Sequence, residues 1–361
     1  MLDKFRSLLI RQFAVALFLS LLSACSSLGQ SPEALLPGPK PADVSKEWKP
    51  WIGEYGFGFS PIRYVLSEKD GFIWILQRPN QTPQASYKNL EKFSVNAPPP
   101  TAAAQGMRLH FDQDGGRILL MGDVGNSKLT PDGEAHQATV AKPVRPIEEL
   151  RSEALTASPP QEVGPFRKPE LVEVATLDPT VHLEIRYATS NDFLGTPVYS
   201  LARAFLQRPA AQALLRVQQK LKPLGYGLLI HDAYRPWYVT KIFWDATPPE
   251  GKIFVADPAQ GSRHNRGCAV DLTLYDLTTG KPVEMPGTYD EMSPRSFPDY
   301  PGGTSLQRWH RDLLRRAMES QGFTVYASEW WHFDYQDWRE YPILNVPFEK
   351  LGSGLQSPAV H

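Results

Sequence analysis

The sequence predicts an α+β fold preceded by a small antiparallel β domain, and three observations carry that expectation. In the last half of the chain, strand-like and helix-like stretches follow one another without a regular βαβ repeat. Between Trp51 and about Val144, short alternating apolar runs are separated by turn tripeptides. Residues 26–48 and 145–168 are rich in Pro and polar residues and read as connecting segments. At 361 residues, the chain is long enough for two domains of ordinary size. The expected division is a targeting segment at 1–24, a tether at 25–48, a β-rich accessory domain at 49–145, a linker at 146–168 and a second domain at 169–361.

The elements follow in order. Lys4, Arg6 and Arg11 form a positive start, and Phe13 to Leu22 is an apolar run too short to span a bilayer comfortably. The run ends in Leu22-Ser23-Ala24-Cys25. This resembles a bacterial lipoprotein signal in which Cys25 becomes the lipidated first residue, holding the protein to a membrane by acyl chains. By the same resemblance, Ser26 after Cys25 points to the outer membrane, facing the periplasm. In the β-rich region, Tyr64-Val65-Leu66 and Phe72 to Leu76 flank a turn at Lys69-Asp70-Gly71. Met107 to Phe111 and Ile118 to Met121 flank another at Gln113 to Gly116. This region has no dense set of ligand-type residues, so it is read as an accessory or spacing domain, with binding to wall glycan or a partner as the alternative.

In the second domain, Val181 to Tyr187 alternates as a strand. Ala210, Leu214, Val217 and Leu221 have helical spacing, with Pro209 suited to the first turn and Pro223-Leu224-Gly225 to the end. Gly227 to Ile230 and Ala269 to Leu274 read as buried strands. Ser305 is placed to cap a helix carrying Leu306, Trp309, Leu313 and Ala317, closed by Gly322.

Composition excludes some functions. The formal net charge of −1 provides no basic field for nucleic acid. With only Cys25 and Cys268, neither a disulfide framework nor a four-Cys zinc site is available. Cys268 is expected to be a small buried residue.

The chemistry concentrates in two short segments. Ser262 to Asp271 supplies His264 and Asp271; Glu329-Trp330-Trp331-His332 supplies a carboxylate and a second His. Together they offer three nitrogen or oxygen ligands and one spare carboxylate, the set a catalytic zinc needs with an open position for water and a base nearby. In Val270-Asp271-Leu272-Thr273-Leu274, alternation puts the apolar residues on one face and Asp271 on the other. Gly267 lets the chain bend so that His264 and Asp271 can reach one metal. On a regular strand Glu329 and Glu329's partner His332 would face opposite ways; an irregular strand start would bring them together. If His332 is a ligand, Glu329 can then stand beside the activated water as general base. Arg235, held extended by Pro236, suits recognition of a carboxylate or a developing oxyanion; a salt bridge to Asp232 is its plainer reading.

The order Asp232-Ala233-Tyr234-Arg235-Pro236, then Ser-Arg-His-x-x-Gly-x-Ala-x-Asp, then Glu-x-Trp-His resembles the D-alanyl-D-alanine dipeptidase family, the VanX-type zinc D,D-peptidases. Ile185 to Gly195 and Met285 to Asp290 resemble two further segments of that family, and the similarity covers roughly residues 168–350. The resemblance implies a zinc D,D-peptidase-like catalytic domain with one Zn2+ held by His264, Asp271 and His332. It also implies Glu329 as general base and acid, and Arg235 as transition-state stabiliser. Ser262, Tyr187 and Asp290 are implied as substrate-binding residues that restrict the pocket to dipeptides. The expected substrate is D-Ala-D-Ala, in cell-wall peptide turnover. The alternatives are a D,D- or L,D-carboxypeptidase or endopeptidase on longer wall peptides, and a non-catalytic wall-binding lipoprotein.

Overall fold

The computed structural model describes residues 31–56, 63–78, 87–98, 109–112, 118–121, 128–131, 143–291 and 293–352. The expected signal at 1–24, lipidation at Cys25 and the turn at 113–116 lie outside the described residues. A short 3₁₀ turn at Pro32–Leu35 belongs to an amino-terminal unit, Met1–Leu36, and the other elements of the described residues lie in the second, Pro37–His361.

Seven antiparallel strands form the first sheet: β1 (Gly53–Gly56), β2 (Arg63–Lys69), β3 (Phe72–Arg78), β4 (Lys88–Ser94), β5 (Leu109–Asp112), β6 (Ile118–Met121) and β7 (Lys128–Pro131). Their order is β4-β3-β2-β1-β7-β6-β5. Asp70 and Gly71 both take positive φ, 54° and 75°, as a tight β2–β3 hairpin turn requires. Alternation then sends Leu66, Ile73 and Ile75 to one face, where they pack with Trp48, Trp51 and Tyr55. Trp48, at the end of the stretch read as a tether, is fully buried in this core.

The linker expected at 146–168 contains a helix, α1 (Ile147–Thr156), whose Leu150 and Ala154 are fully buried. Ile147, Leu150 and Ala154 share one face, and burying that stripe outweighs the polar composition that suggested a linker. β8 (Leu171–Glu173) pairs with β10 (Phe205–Gln207) in a two-stranded sheet.

The central five-stranded sheet has the order β13-β14-β12-β11-β9, built from β9 (His182–Leu183), β11 (Tyr226–Asp232), β12 (Ala269–Asp276), β13 (Phe323–Tyr326) and β14 (Glu329–Tyr335). Its pairs are antiparallel except β11 with β9. The strand expected over 181–187 shrinks to β9, because Arg186–Ala188 turns into a 3₁₀ helix that carries Tyr187 away from the sheet. α2 (Arg208–Leu221) has Pro209 in its first turn and buries Ala210, Leu214, Val217 and Leu221. Gly225, at φ 87°, stops the following turn. α3 (Trp237–Ala246) packs against α1.

α4 (Ser305–Glu319) is capped one residue earlier than expected. The Thr304 hydroxyl accepts from Gln307 N, and the Gln307 side chain accepts from Thr304 N. On β12 the expected alternation holds: Val270, Leu272 and Leu274 are fully buried, and α4 packs against the strand. Asp271 and Thr273 point to the opposite face. The fold is thus mixed α/β with antiparallel sheets.

Candidate metal centre and active site

His264 stands in a 3₁₀ turn, Arg263–Arg266, between two devices that fix it. Ser262 caps the turn, accepting from His264 N while Asn265 Oδ1 accepts from Ser262 N at 2.6 Å. Gly267 closes it with φ 67° and ψ 25° and turns the chain into β12. Asp271 faces His332 directly across the β12–β14 ladder. The β13–β14 register slips at this point: Val325 pairs with Phe333, but the next residue, Tyr326, pairs with Glu329. That irregular strand start brings Glu329 Oε2 to 3.8 Å from His332 Nδ1.

The inward-facing atoms of the two imidazoles follow from their outer partners. His264 Nδ1 lies 2.6 Å from the Ala233 carbonyl oxygen, which can only accept. Nδ1 therefore carries a proton, which leaves Nε2 as the atom turned inward. His332 Nε2 donates to Asp334 Oδ1 at 2.9 Å, so Nδ1 is its inward atom. These two nitrogens lie 3.1 Å apart, and 3.3 and 3.1 Å from Asp271 Oδ1. Asp271 Oδ1 is buried without a hydrogen-bond partner, while Tyr289 donates its hydroxyl to the other oxygen, Oδ2, at 3.0 Å.

Three electron-pair donors so close, all buried, call for a positive charge between them. Ligands of a tetrahedral cation at ~2.05 Å lie ~3.4 Å from one another, close to what these atoms show. The imidazoles and the carboxylate also act on one another electrostatically. Burial by itself would raise the Asp271 pKa, but the two imidazoles outweigh it and hold the carboxyl well below its ordinary range. Burial would lower that of His332, yet Asp271 and Asp334 hold it well above its usual value. His264, Asp271 and His332 are the one group of this kind among the described residues.

Around this centre lies a cavity of about 430 Å³, lined among others by Tyr187, Arg235, Ser262, Asp290 and Glu329. All the candidate site residues of the second domain thus meet in one place. Glu329 has its pKa raised, first by burial and then by the Asp271 charge, against the opposing pull of His332. Arg235 keeps both of its readings. Its Nε and Nη2 hold Asp232 Oδ2 at 3.0 and 2.8 Å, and it also lines the cavity. The rings of Tyr187 and Phe243 lie 5.2 and 4.8 Å from its guanidinium carbon. Tyr187 donates to Asp290 Oδ1 at 3.2 Å, while Asp290 Oδ2 is buried without a partner. Asp290 has φ 57°, a left-handed backbone uncommon outside Gly. Cys268 stays out of the metal group: it is fully buried, and burial pushes its thiol pKa up.

With this geometry in place, comparison with known proteins is decisive. Residues 167–349 match the M15 peptidase family, described as D-ala-D-ala dipeptidase. The chain belongs to the D-Ala-D-Ala dipeptidase family. It is similar to the D-alanyl-D-alanine dipeptidase of Escherichia coli K12, 36% identical over 179 residues that cover 50% of this chain and 91% of the relative. The dipeptidase of Enterococcus faecalis is 36% identical over 175 residues, 44% of this chain and 87% of the relative. That of Streptomyces coelicolor is 34% identical over 175 residues, with the same coverage. As a member of the family, the protein is a peptidase.

Three dipeptidase-site residues escaped the reading of the sequence as parts of the site. Asp334 orients His332, and its position two residues along the same strand puts both on one face, which is a usable signal. Tyr289 reaches Asp271 from a loop, which nothing local to Asp271 indicates. Asp232, which the sequence offers only as a salt-bridge partner for Arg235, also accepts from Tyr199 Oη at 2.6 Å and from Ala233 N at 2.8 Å.

Proposed function

We propose that this protein is a zinc-dependent dipeptidase that hydrolyses D-alanyl-D-alanine in cell-wall peptide turnover. The observation that carries the reading is the convergence of two outward-anchored imidazoles on a buried carboxylate oxygen, with a free carboxylate and an Arg on the same cavity wall. His264 Nε2, His332 Nδ1 and Asp271 Oδ1 would hold the zinc. When bound, it would supply Lewis-acid chemistry, polarising the scissile carbonyl and acidifying water.

The chain's own residues would do the rest. Glu329, its carboxyl desolvated, takes a proton from the attacking water. Water oxygen bonds to the carbonyl carbon, the C–N bond breaks, and Glu329 returns the proton to the leaving amine. Arg235 lies on the cavity wall, where its charge stabilises the oxyanion that develops on the carbonyl oxygen. Asp232 pins that guanidinium, so little reorganisation is needed during reaction. Asp290 Oδ2, lacking a protein partner, suits the ammonium of a dipeptide, and Tyr187 holds the other oxygen in place. Ser262 also lines the cavity and can donate its hydroxyl to substrate. A cavity of about 430 Å³ lies toward the small end of the usual ~300–1,000 Å³ for small-molecule sites, which favours a short peptide.

The test is release of D-alanine from D-Ala-D-Ala and from a wall pentapeptide, side by side, before and after chelation and zinc return. Chelator-sensitive turnover of the dipeptide alone supports the proposal. Faster cleavage of the pentapeptide moves the protein to wall remodelling, and silence on both with zinc bound leaves the binding-protein reading. The membrane anchor is a separate part of the proposal, resting on Leu22 to Cys25. Cys25→Ala should release the protein from the membrane fraction; retention there would overturn it.

A further inference from the structure

The segment joining β12 to α4 carries two residues to the centre: Tyr289, which holds Asp271, and Asp290, which lines the cavity. Among the described residues, the rest of the segment brings no further carboxylate to the cavity, but it is heavily anchored. Glu291 is buried and accepts from Thr288 N at 2.8 Å and from the Ser293 hydroxyl and Arg295 Nε. At Gly287 a side chain would come within 2.8 Å of the Arg295 carbonyl oxygen, so the chain doubles back against itself there.

The far end of the segment is seated on the amino-terminal sheet. Tyr300 packs with Val65 of β2 and Leu76 of β3 in a separate apolar cluster. Ser67 and Gly303 form a parallel bridge between β2 and the segment. The Ser67 hydroxyl donates to the Pro301 carbonyl at 2.7 Å, and Glu68 N donates to the Gly303 carbonyl at 3.1 Å. The Glu68 carboxylate accepts from Ser305 N at 2.7 Å, one of the donors that α4 leaves open at its start. Arg308 reaches from α4 to Ser67 Oγ at 2.9 Å, and to the Gly302 and Gly303 carbonyls at 3.0 and 2.9 Å. Ser67 and Glu68 are both buried. β2 also lies outside residues 167–349, the region that matches the family.

We propose that β2 of the amino-terminal sheet, through Ser67 and Glu68, is a positioning element for the segment that delivers Tyr289 and Asp290 to the cavity. The sheet is then part of how this chain shapes its substrate site rather than a spacer. The kinetic form of the proposal rests on the dipeptidase reading. Loosening the clamp displaces Asp290, which grips substrate, while Glu329 stays on β14 and Arg235 just past the end of β11. The expected change is in KM rather than kcat.

The experiment compares full-length parent, Glu68→Ala and Glu68→Gln. Glu68→Ala should raise KM for D-Ala-D-Ala about 5–10-fold with kcat within about 2-fold and zinc content unchanged. Glu68→Gln, which keeps an acceptor for Ser305 N, should recover most of the loss. Hydrogen exchange gives a readout independent of activity: amides of 286–300 should exchange faster in Glu68→Ala than in the parent, while those of β12 do not. A variant with a lower Tm but unchanged KM and unchanged exchange over 286–300 would show a merely structural contact and overturn the proposal. If Glu68→Ala does not fold, Ser67→Ala removes only the hydroxyl bridge and is read the same way. An inactive parent would count against the dipeptidase reading alone, and the exchange comparison would still decide this one.

Discussion

Asp334 accepts the His332 Nε2 proton at 2.9 Å, and Arg263 Nη1 lies 3.2 Å from its other oxygen. The chain Arg263–Asp334–His332 fixes the tautomer that turns His332 Nδ1 inward. Removing the carboxylate frees the ring to rotate and lowers its basicity. Asp334→Ala should weaken metal affinity about 10–100-fold, read by competition with a chromophoric chelator. Asp334→Asn, which keeps an acceptor oxygen, should lose less; equal losses would mean that charge, not orientation, is what Asp334 supplies.

Glu329 stands beside the three ligand atoms without belonging to them. Glu329→Gln should therefore keep bound metal while lowering kcat about 10²–10⁴-fold. Metal analysis and steady-state kinetics on the same sample check this. Unchanged turnover by a folded, metal-loaded variant would remove Glu329 from the mechanism.

Arg235 is held by two nitrogens on one oxygen of Asp232. A lysine ammonium cannot reproduce that fork. Arg235→Lys should cost about 10²–10³-fold in kcat, the size seen when a single oxyanion donor is lost. KM should change far less, since the cation is needed most when charge develops on the substrate.

Gly267 joins the turn of His264 to the strand of Asp271. Its φ of 67° is left-handed, and an added methyl would lie 2.5 Å from Leu171 Cδ2. Gly267→Ala should destabilise the protein by about 1–3 kcal/mol through backbone strain and overpacking. Denaturant unfolding measures that, and metal affinity should fall with it because Gly267 sets the path between two proposed ligands, His264 and Asp271.

His231 has its pKa lowered to about 4, by burial first and by the Arg186 charge second. Its ring stacks on Tyr289 at 4.7 Å, and Glu184 Oε2 lies 3.8 Å from Nδ1. The folded state favours the neutral ring, whereas the unfolded chain takes up a proton near pH 6.5. This contribution is therefore complete above about pH 6.5 and is lost as the pH falls to about 4, by at most about 3 kcal/mol. His231→Gln should lose less stability over that interval than the parent; parallel curves would assign the acid sensitivity to other groups.

Much of the dipeptidase site was legible in the sequence, because its parts are short and local. Alternation along Val270 to Leu274 fixes which way Asp271 faces, and Gly267 marks the bend before it. The spacing of Glu329 and His332 demands an irregular strand start if both serve one site, and the slipped β13–β14 register provides it. Family resemblance then assigned roles that spacing alone left open. Other readings failed where burial overrode composition. The stretch at 146–168 has the polar, Pro-containing look of a linker, yet three apolar residues on one helical face suffice to fold part of it as α1. The alternation over 181–187 is that of a strand, yet the chain leaves the sheet at Arg186 and carries Tyr187 to the cavity.

By itself, then, the sequence put forward His264, Asp271 and His332 as candidate ligands beside Glu329 and Arg235, since these are chemical identities at fixed local spacing. Only the tertiary structure decided what holds them: Asp334 behind His332, the Ala233 carbonyl behind His264, Tyr289 on Asp271, and β2 seated on the segment that carries Asp290. Each of these is a hydrogen bond or packing contact, and all but the first join residues far apart in the chain. No period or motif encodes such a pairing; it exists only once the sheets have brought the two segments within reach.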